Sequence, residues 1–215
     1  MCDVVEFIDK TFIMFNLTLD NPTISWMREY YESGKKIILE YGTGGSTLLA
    51  LESHRKNIVY ACETDSVWLA KLMLHVSEKK LQSNLFPVHI DIGQTGDWGV
   101  PVFNKREFSG KRMQSFLNAA IQPWKLMRNH EVNPDIVFID GRWRKACFLS
   151  ALLYCKSPML VLWDDYADRP RYHVFDEIIQ PVEMIGRAAL YEVKPKTYDA
   201  AEVIDQYLAV FGDWG

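Results

Sequence analysis

From residue 35 to residue 166 the chain keeps changing period. Short, almost unbroken apolar runs give way to longer stretches with helical spacing, and the change repeats four times. The short runs are IILEY (37–41), NIVYACE (57–63), LFPVHIDI (85–92), PDIVFIDG (134–141) and SPMLVLWDDY (157–166). Between them lie TLLALESH, SVWLAKLMLHVSEKK, RMQSFLNAAIQPWKLMRN and ACFLSALLYC. Strands that read as continuous apolar runs are those covered on both faces, as in parallel sheets. Parallel neighbours need right-handed crossovers, so the pattern predicts an open, doubly wound α/β fold. A closed eight-stranded barrel needs more strands and commonly about 250 residues, and this chain has 215.

Two more strands, PVEMIG and AALYEVKP, meet at Gly186-Arg187 and bring the sheet to seven. YHVFDEII ahead of them predicts a helix. DAAEVIDQYLAVF predicts a closing helix that docks through Val203, Ile204, Tyr207, Leu208 and Phe211. At the other end, residues 1–34 form a lead-in, a short hairpin or an irregular segment, followed by the helix TISWMREYYESG with Gly34 as its stop. Residues 35–215 make the main body of one compact domain. Residues 93–133 are a long interval, a glycine-rich loop and then a helix expected to break near Pro123.

Composition excludes more than it names. A formal net charge of −4 offers no general surface for nucleic acid. The local basic group Lys105, Arg106, Lys111 and Arg112 reads as a solvated loop and helix start. Cys2, Cys62, Cys147 and Cys155 have no metal-ligand spacing and read as free thiols of a reducing compartment. MCDVVEFIDKTF carries acids where a signal peptide carries basic residues, and no apolar run nears the ~20 residues that span a bilayer. The expectation is a cytoplasmic protein with no membrane contact.

The stretch ILEYGTGGSTLLAL (38–51) turns a strand into a helix through Gly42, Gly44 and Gly45, directly after Glu40 and Tyr41. In open α/β sheets ligands bind beyond the C-terminal strand ends. Glycine there allows a sharp turn and a close approach to the backbone. GxGxxG would need glycine at Thr47, and a P-loop motif is absent. The second strand ends at Glu63, where an α/β cofactor fold places an acid against a ribose diol. Helix capping is the plainer role for an acid here, and Asp65 fits it better than Glu63.

This pattern resembles the class I S-adenosylmethionine-dependent methyltransferases over roughly residues 35–195. Glu40-Tyr41-Gly42-Thr43-Gly44-Gly45-Ser46 matches the acid and glycine turn of that family, with Ser46 in place of its usual third glycine. Glu63 matches the ribose-binding acid. Gly93-Gln94-Thr95-Gly96-Asp97-Trp98 matches the loop that borders adenine. The resemblance implies a Rossmann-like sheet with AALYEVK as a reversed late strand. It also implies S-adenosylmethionine as cofactor, held by Glu40, Gly42, Gly44, Gly45, Ser46, Glu63, Gly93, Gln94, Thr95 and Trp98. The activity implied is methyl transfer to a small-molecule acceptor, which Asp140 orients.

A narrower resemblance is to catechol-type O-methyltransferases with a metal site. Asp140 after the fourth strand, and Asp164 and Asp165 after the fifth, match acid, acid and asparagine in those enzymes, and would hold Mg²⁺. Gly141 stands where they have histidine, and Trp143 where they have a catalytic lysine. Without a metal, the three acids are expected to pair with Arg142, Arg144 or Arg169. Arg169, Arg171, Tyr172 and His173 follow the fifth strand and face the site as contacts for an anionic substrate or as a helix entry. His54, His75, His89, His130 and His173 have no ligand spacing. Trp98, Trp143 and Trp163 are candidates to stack on a ring or to pack the core. Two other functions fit the same turn: an adenosyl-binding protein without turnover, and a nicotinamide-dependent oxidoreductase.

Overall fold

The computed structural model describes residues 15–103 and 109–215. The expected hairpin or lead-in over residues 1–14, Cys2, and the basic residues Lys105 and Arg106 lie outside them. Helix α1 (Asn21–Glu32) is followed by strand β1 (Ile37–Tyr41), helix α2 (Gly45–Ser53), strand β2 (Ile58–Glu63), helix α3 (Ser66–Glu78) and strand β3 (Leu85–His89). Helix α4 (Gly110–Asn129), strand β4 (Ile136–Ile139), helix α5 (Arg144–Tyr154) and strand β5 (Met159–Trp163) come next. Strands β6 (Glu183–Ile185) and β7 (Ala188–Val193) and helix α6 (Ala200–Tyr207) close the chain.

The sheet order is β3-β2-β1-β4-β5-β7-β6. The first five strands are parallel, β7 runs antiparallel between β5 and β6, and the seven-stranded, doubly wound Rossmann-like sheet stands as expected. Strand order reverses between β1 and β4, so their C-terminal ends diverge at the topological switch point. Two-residue alternation sends Leu39 and Tyr41 to the face covered by α4 and α5, and Ile38 to the face under α1 and α2. Glu40 shares the Ile38 side, which is why a carboxylate ends up 1% exposed beneath the start of α2.

Several details differ from the sequence reading. Helix α4 passes through Pro123 without breaking. Pro123 is buried there beside Trp124, above the small residues Ala119 and Ala120, so packing offsets the one backbone hydrogen bond that proline removes. YHVFDEII is no α-helix: Pro170–Phe175 form a 3₁₀ segment that buries Tyr172 and Phe175. In the last helix Tyr207 and Val210 are buried and Val203 and Phe211 pack against the core, while Ile204 and Leu208 are exposed, and the helix tightens to 3₁₀ over Leu208–Gly212. No described helix is long and apolar enough to cross a membrane.

The segment ahead of α1 is tied down rather than loose. Asp20 caps α1 by accepting from the Thr23 amide at 2.9 Å and also accepts from the Arg187 amide at 2.8 Å. Thr23 Oγ1 donates to the Ile185 carbonyl at 3.0 Å. Residues 16–19 are thereby laid across the C-terminal ends of the strands, and Phe15 packs edge-on to Trp68.

Candidate active site at the strand ends

A cavity of about 720 Å³ opens at the switch point, within the ~300–1,000 Å³ usual for small-molecule sites. Its floor is the turn Gly42–Ser46. One side carries Glu63, Asp65 and Trp68, another Thr95–Gly99, and a third Asp140–Trp143. Residues 16–19 supply a wall that sequence reasoning did not find, since nothing in NLTL signals a ligand.

The three glycines of the turn do different jobs. Gly42 has φ +87°, and a Cβ there would stand 2.6 Å from the Gly141 nitrogen. A Cβ at Gly45 would stand 2.8 Å from the Asn16 carbonyl carbon. Both positions are therefore set by chain packing against chain. At Gly44, which lines the cavity, a Cβ would meet only Trp68 Cζ2, at an ordinary contact distance of 3.8 Å, so no chain packing demands glycine there. Gly141, the apparent departure from the catechol-type pattern, has the same explanation as Gly42: its Cβ would meet the Gly42 nitrogen at 2.8 Å.

Glu63 sits at the end of β2 and lines the cavity. Its Oε1 accepts from the amides of Thr64 (2.7 Å) and Asp65 (3.0 Å) and from Thr64 Oγ1 (3.4 Å). Its Oε2 accepts from the Thr43 amide (3.3 Å) and Thr43 Oγ1 (3.2 Å). Backbone amides thus fix the carboxylate from both neighbouring strand ends. Asp65 caps α3, accepting from the amides of Val67 and Trp68 at 2.8 and 3.0 Å.

Glu40 lies below the turn rather than among the lining residues. Ser46 Oγ donates to its Oε1, and Oε2 is buried without a hydrogen-bond partner. Burial pushes its carboxyl up to about 8, against the lowering effect of the Ser46 and Thr47 hydroxyls. Gly93 and Gln94 also stand apart from the lining. Gly93 turns back on its Asp91 cap and packs against the Arg112 guanidinium, and the Gln94 carbonyl accepts from Arg112 at 3.1 Å. The part of that loop facing the cavity is Thr95–Gly99. There Trp98 has φ 59° and is 80% exposed, and its carbonyl accepts from Arg142 Nε at 2.8 Å. Trp143 and Trp163 are fully buried, so core packing takes up most of their surface.

Asp140, Asp164 and Asp165 do converge, with one carboxylate oxygen of each inside a 4.8 Å cluster. Among the described residues this is the one such group of potential ligands. Three guanidiniums already serve it. Arg187 grips Asp164 through Nε at 3.0 Å and Nη2 at 2.8 Å, and lies 3.0 Å from Asp165. Arg169 reaches Asp165 at 2.6 Å; Arg144 reaches Asp165 at 3.1 Å and Asp140 at 3.0 Å. Three carboxyl groups already meet three guanidiniums, so the donor set does not fit a divalent cation, which would be repelled by the arginines. Asp164 is 0% exposed, and neither it nor Asp165 lines the cavity. Asp140 does line it. Burial, then the nearby Asp164 and Asp165, raise its carboxyl above the usual range, and Arg144 opposes them. Its Oδ2 has no hydrogen-bond partner among the described residues.

The sequence reading expected Arg142, Arg144 and Arg169 as partners for the acids. Arg142 turns instead to Trp98, and Arg187 takes its place. Arg187 could have been found. An antiparallel β7 beside β5 puts the β6–β7 turn next to the residues that follow β5, and that turn is Gly186-Arg187. Arg171 stacks over the Tyr172 ring, and His173 lies within hydrogen-bond distance of the Tyr166 carbonyl; neither lines the cavity.

Strand order, the reversed β7 and a cavity over a glycine turn define a Rossmann-like methyltransferase fold. No protein-family model and no curated protein matches the sequence. Among solved structures, a methyltransferase-like protein from Silicibacter pomeroyi DSS-3 is 30% identical. It aligns over 93% of this chain and 98% of its own, with a TM-score of 0.80. The O-methyltransferase TomG from Streptomyces achromogenes, solved with S-adenosylmethionine, gives a TM-score of 0.56 at 14% identity over 84% of this chain and 82% of its own. A methyltransferase from Geobacter sulfurreducens gives 0.54 at 9% identity over 83% and 80%. The last two share the fold. The first, 30% identical over nearly the whole of both chains, places this one: it belongs to the class I S-adenosylmethionine-dependent methyltransferase fold family.

Proposed function

We propose that the protein binds S-adenosylmethionine in the switch-point cavity and transfers its methyl group to a small-molecule acceptor. One observation carries the reading: Gly44, Glu63, anchored by backbone amides, and Asp140 line one cavity, so a bare turn, a sugar-gripping acid and an acceptor-facing acid share it. Family membership favours an adenosyl amino acid over a dinucleotide, in keeping with the missing glycine at Thr47.

Each residue has a defined task. Gly44 leaves room for the methionine part against the main chain. Glu63 receives the ribose hydroxyls, and the long contacts from Thr43 and Thr64 hydroxyls, at 3.2 and 3.4 Å, are those that rotate away to make room. Thr95 and Trp98 border the adenine, while Ser46 holds Glu40 in place under the turn. Bound there, the cofactor supplies an electrophilic methyl group open to in-line attack. Asp140 offers Oδ2 to the acceptor's hydroxyl or amine hydrogen while Arg144 fixes Oδ1, so the protein contributes alignment and a place for the proton.

Thermal-shift measurements with S-adenosylmethionine, S-adenosylhomocysteine, NAD and NADP test the ligand class. Selective stabilisation by the two adenosyl ligands is expected, and stabilisation by NAD or NADP alone contradicts the reading. S-adenosylhomocysteine release with candidate acceptors then separates an enzyme from a binding protein without turnover.

A further inference from the structure

Arg142 is a cavity-lining cation that the described residues engage by one edge only. It follows Gly141 at the end of β4, lines the cavity and is half-buried. Its Nε is committed to the Trp98 carbonyl at 2.8 Å, which fixes the plane of the guanidinium. Neither terminal nitrogen has a hydrogen-bond or ion-pair partner among the described residues, although Asp97 and Asp140 line the same cavity. The other arginines nearby are taken: Arg144, Arg169 and Arg187 are bound up with the acid trio.

A cavity-lining guanidinium held by one edge and left without an acid is unusual, because buried or half-buried charges are ordinarily paired. The other edge, whose Nη1 lies 3.3 Å from where a Cβ on Gly215 would stand, carries two N–H groups side by side, the arrangement that receives both oxygens of an oxyanion. Ala119, Ile90 and Trp143 line the same cavity and form apolar wall for a ring or chain. Burial, then repulsion from Arg144 and Arg169, lowers the pKa of Arg142, against the opposing effects of Tyr172 and Asp140.

We propose that Arg142 is a specificity residue that binds an oxyanion on the methyl acceptor, making the acceptor a small organic acid with an apolar body. The proposal rests on the cavity being the methyl-transfer site, yet its test is separable from that reading. The protein is titrated by calorimetry with 4-hydroxybenzoate, its neutral amide 4-hydroxybenzamide, and phenyl phosphate, each with and without saturating S-adenosylhomocysteine. The wild type should prefer at least one anionic probe over the amide by about tenfold or more, the scale of one charge-assisted contact. The better of the two probes tells carboxylate from phosphate. Arg142→Gln should erase that preference and Arg142→Lys retain part of it, in the titrations without S-adenosylhomocysteine. No anion preference in the wild type, or one that survives Arg142→Gln, overturns the proposal. Failure of S-adenosylhomocysteine to bind the wild type counts against the methyl-transfer reading, and the titrations without it still decide the role of Arg142.

Discussion

Gly42 and Gly141 lie back to back across the ends of β1 and β4, so close that a Cβ on either would come within 2.8 Å of the other's backbone nitrogen. The Tyr41 carbonyl pins the contact by accepting from the amides of Asp140 (2.9 Å) and Gly141 (2.7 Å). Gly42→Ala adds left-handed strain of about 1–2 kcal/mol to a steric cost of about 1–3 kcal/mol. A loss of about 2–5 kcal/mol in urea unfolding is expected. Gly141→Ala, without a positive φ, should lose about 1–3 kcal/mol.

Asp164 relies on Arg187 for both of its carboxylate oxygens. Arg187→Ala leaves a fully buried carboxylate without that partner and should destabilise by about 3–5 kcal/mol. Asp164→Asn in the same background should recover part of the loss, because the uncompensated charge is then gone. Equal stability of the single and double variants, measured by chemical denaturation, would place the energy elsewhere.

The same arginines bear on Mg²⁺. Three guanidiniums already neutralise Asp140, Asp164 and Asp165. Dialysis against EDTA should leave thermal stability and S-adenosylhomocysteine affinity unchanged. Added MgCl₂ should do no more than NaCl of equal ionic strength. A saturable, Mg²⁺-specific shift abolished by Asp165→Ala would contradict this account.

Much of this was legible in the sequence and some was not, for local reasons. Continuous apolar strands such as IVFI and LVLW announce a sheet covered on both faces, because nothing else buries such runs. The glycine turn was legible as a turn. The division of labour within it was not, since Gly42 and Gly45 are dictated by partners 99 and 29 residues away, Gly141 and Asn16 (141 minus 42, and 45 minus 16). Proline rules favoured a break in α4, and burial of Pro123 overrode them. Arg142 is one of three arginines, with Arg144 and Arg169, that the sequence offers as partners for the strand-end acids. The β3 loop captures it instead, a contact between segments 44 residues apart.

Glu40 should make stability depend on pH. Its carboxyl is raised to about 8 from an ordinary 4.5, so the folded state keeps a proton that the unfolded chain has released. The contribution is complete below pH ~4.5 and is lost as pH rises through about 8. Glu40→Gln, which cannot titrate, should therefore gain on the wild type between pH 5 and pH 8.5 in urea midpoints of the ligand-free protein. A constant difference across that range would contradict a protonated Glu40.

The central claim is that bare main chain at Gly44 leaves room for an adenosyl amino acid. Calorimetric titration of S-adenosylhomocysteine into the wild type and Gly44→Val tests it, with urea unfolding of both as the control. A Cβ at this position meets only Trp68 Cζ2, at 3.8 Å, on the cavity lining. The account predicts one-to-one binding by the wild type and a loss of at least about tenfold (~1.4 kcal/mol) in the variant, with unfolding free energies within about 1 kcal/mol of each other. Equal affinity in the two proteins, or no binding by the wild type, would contradict it.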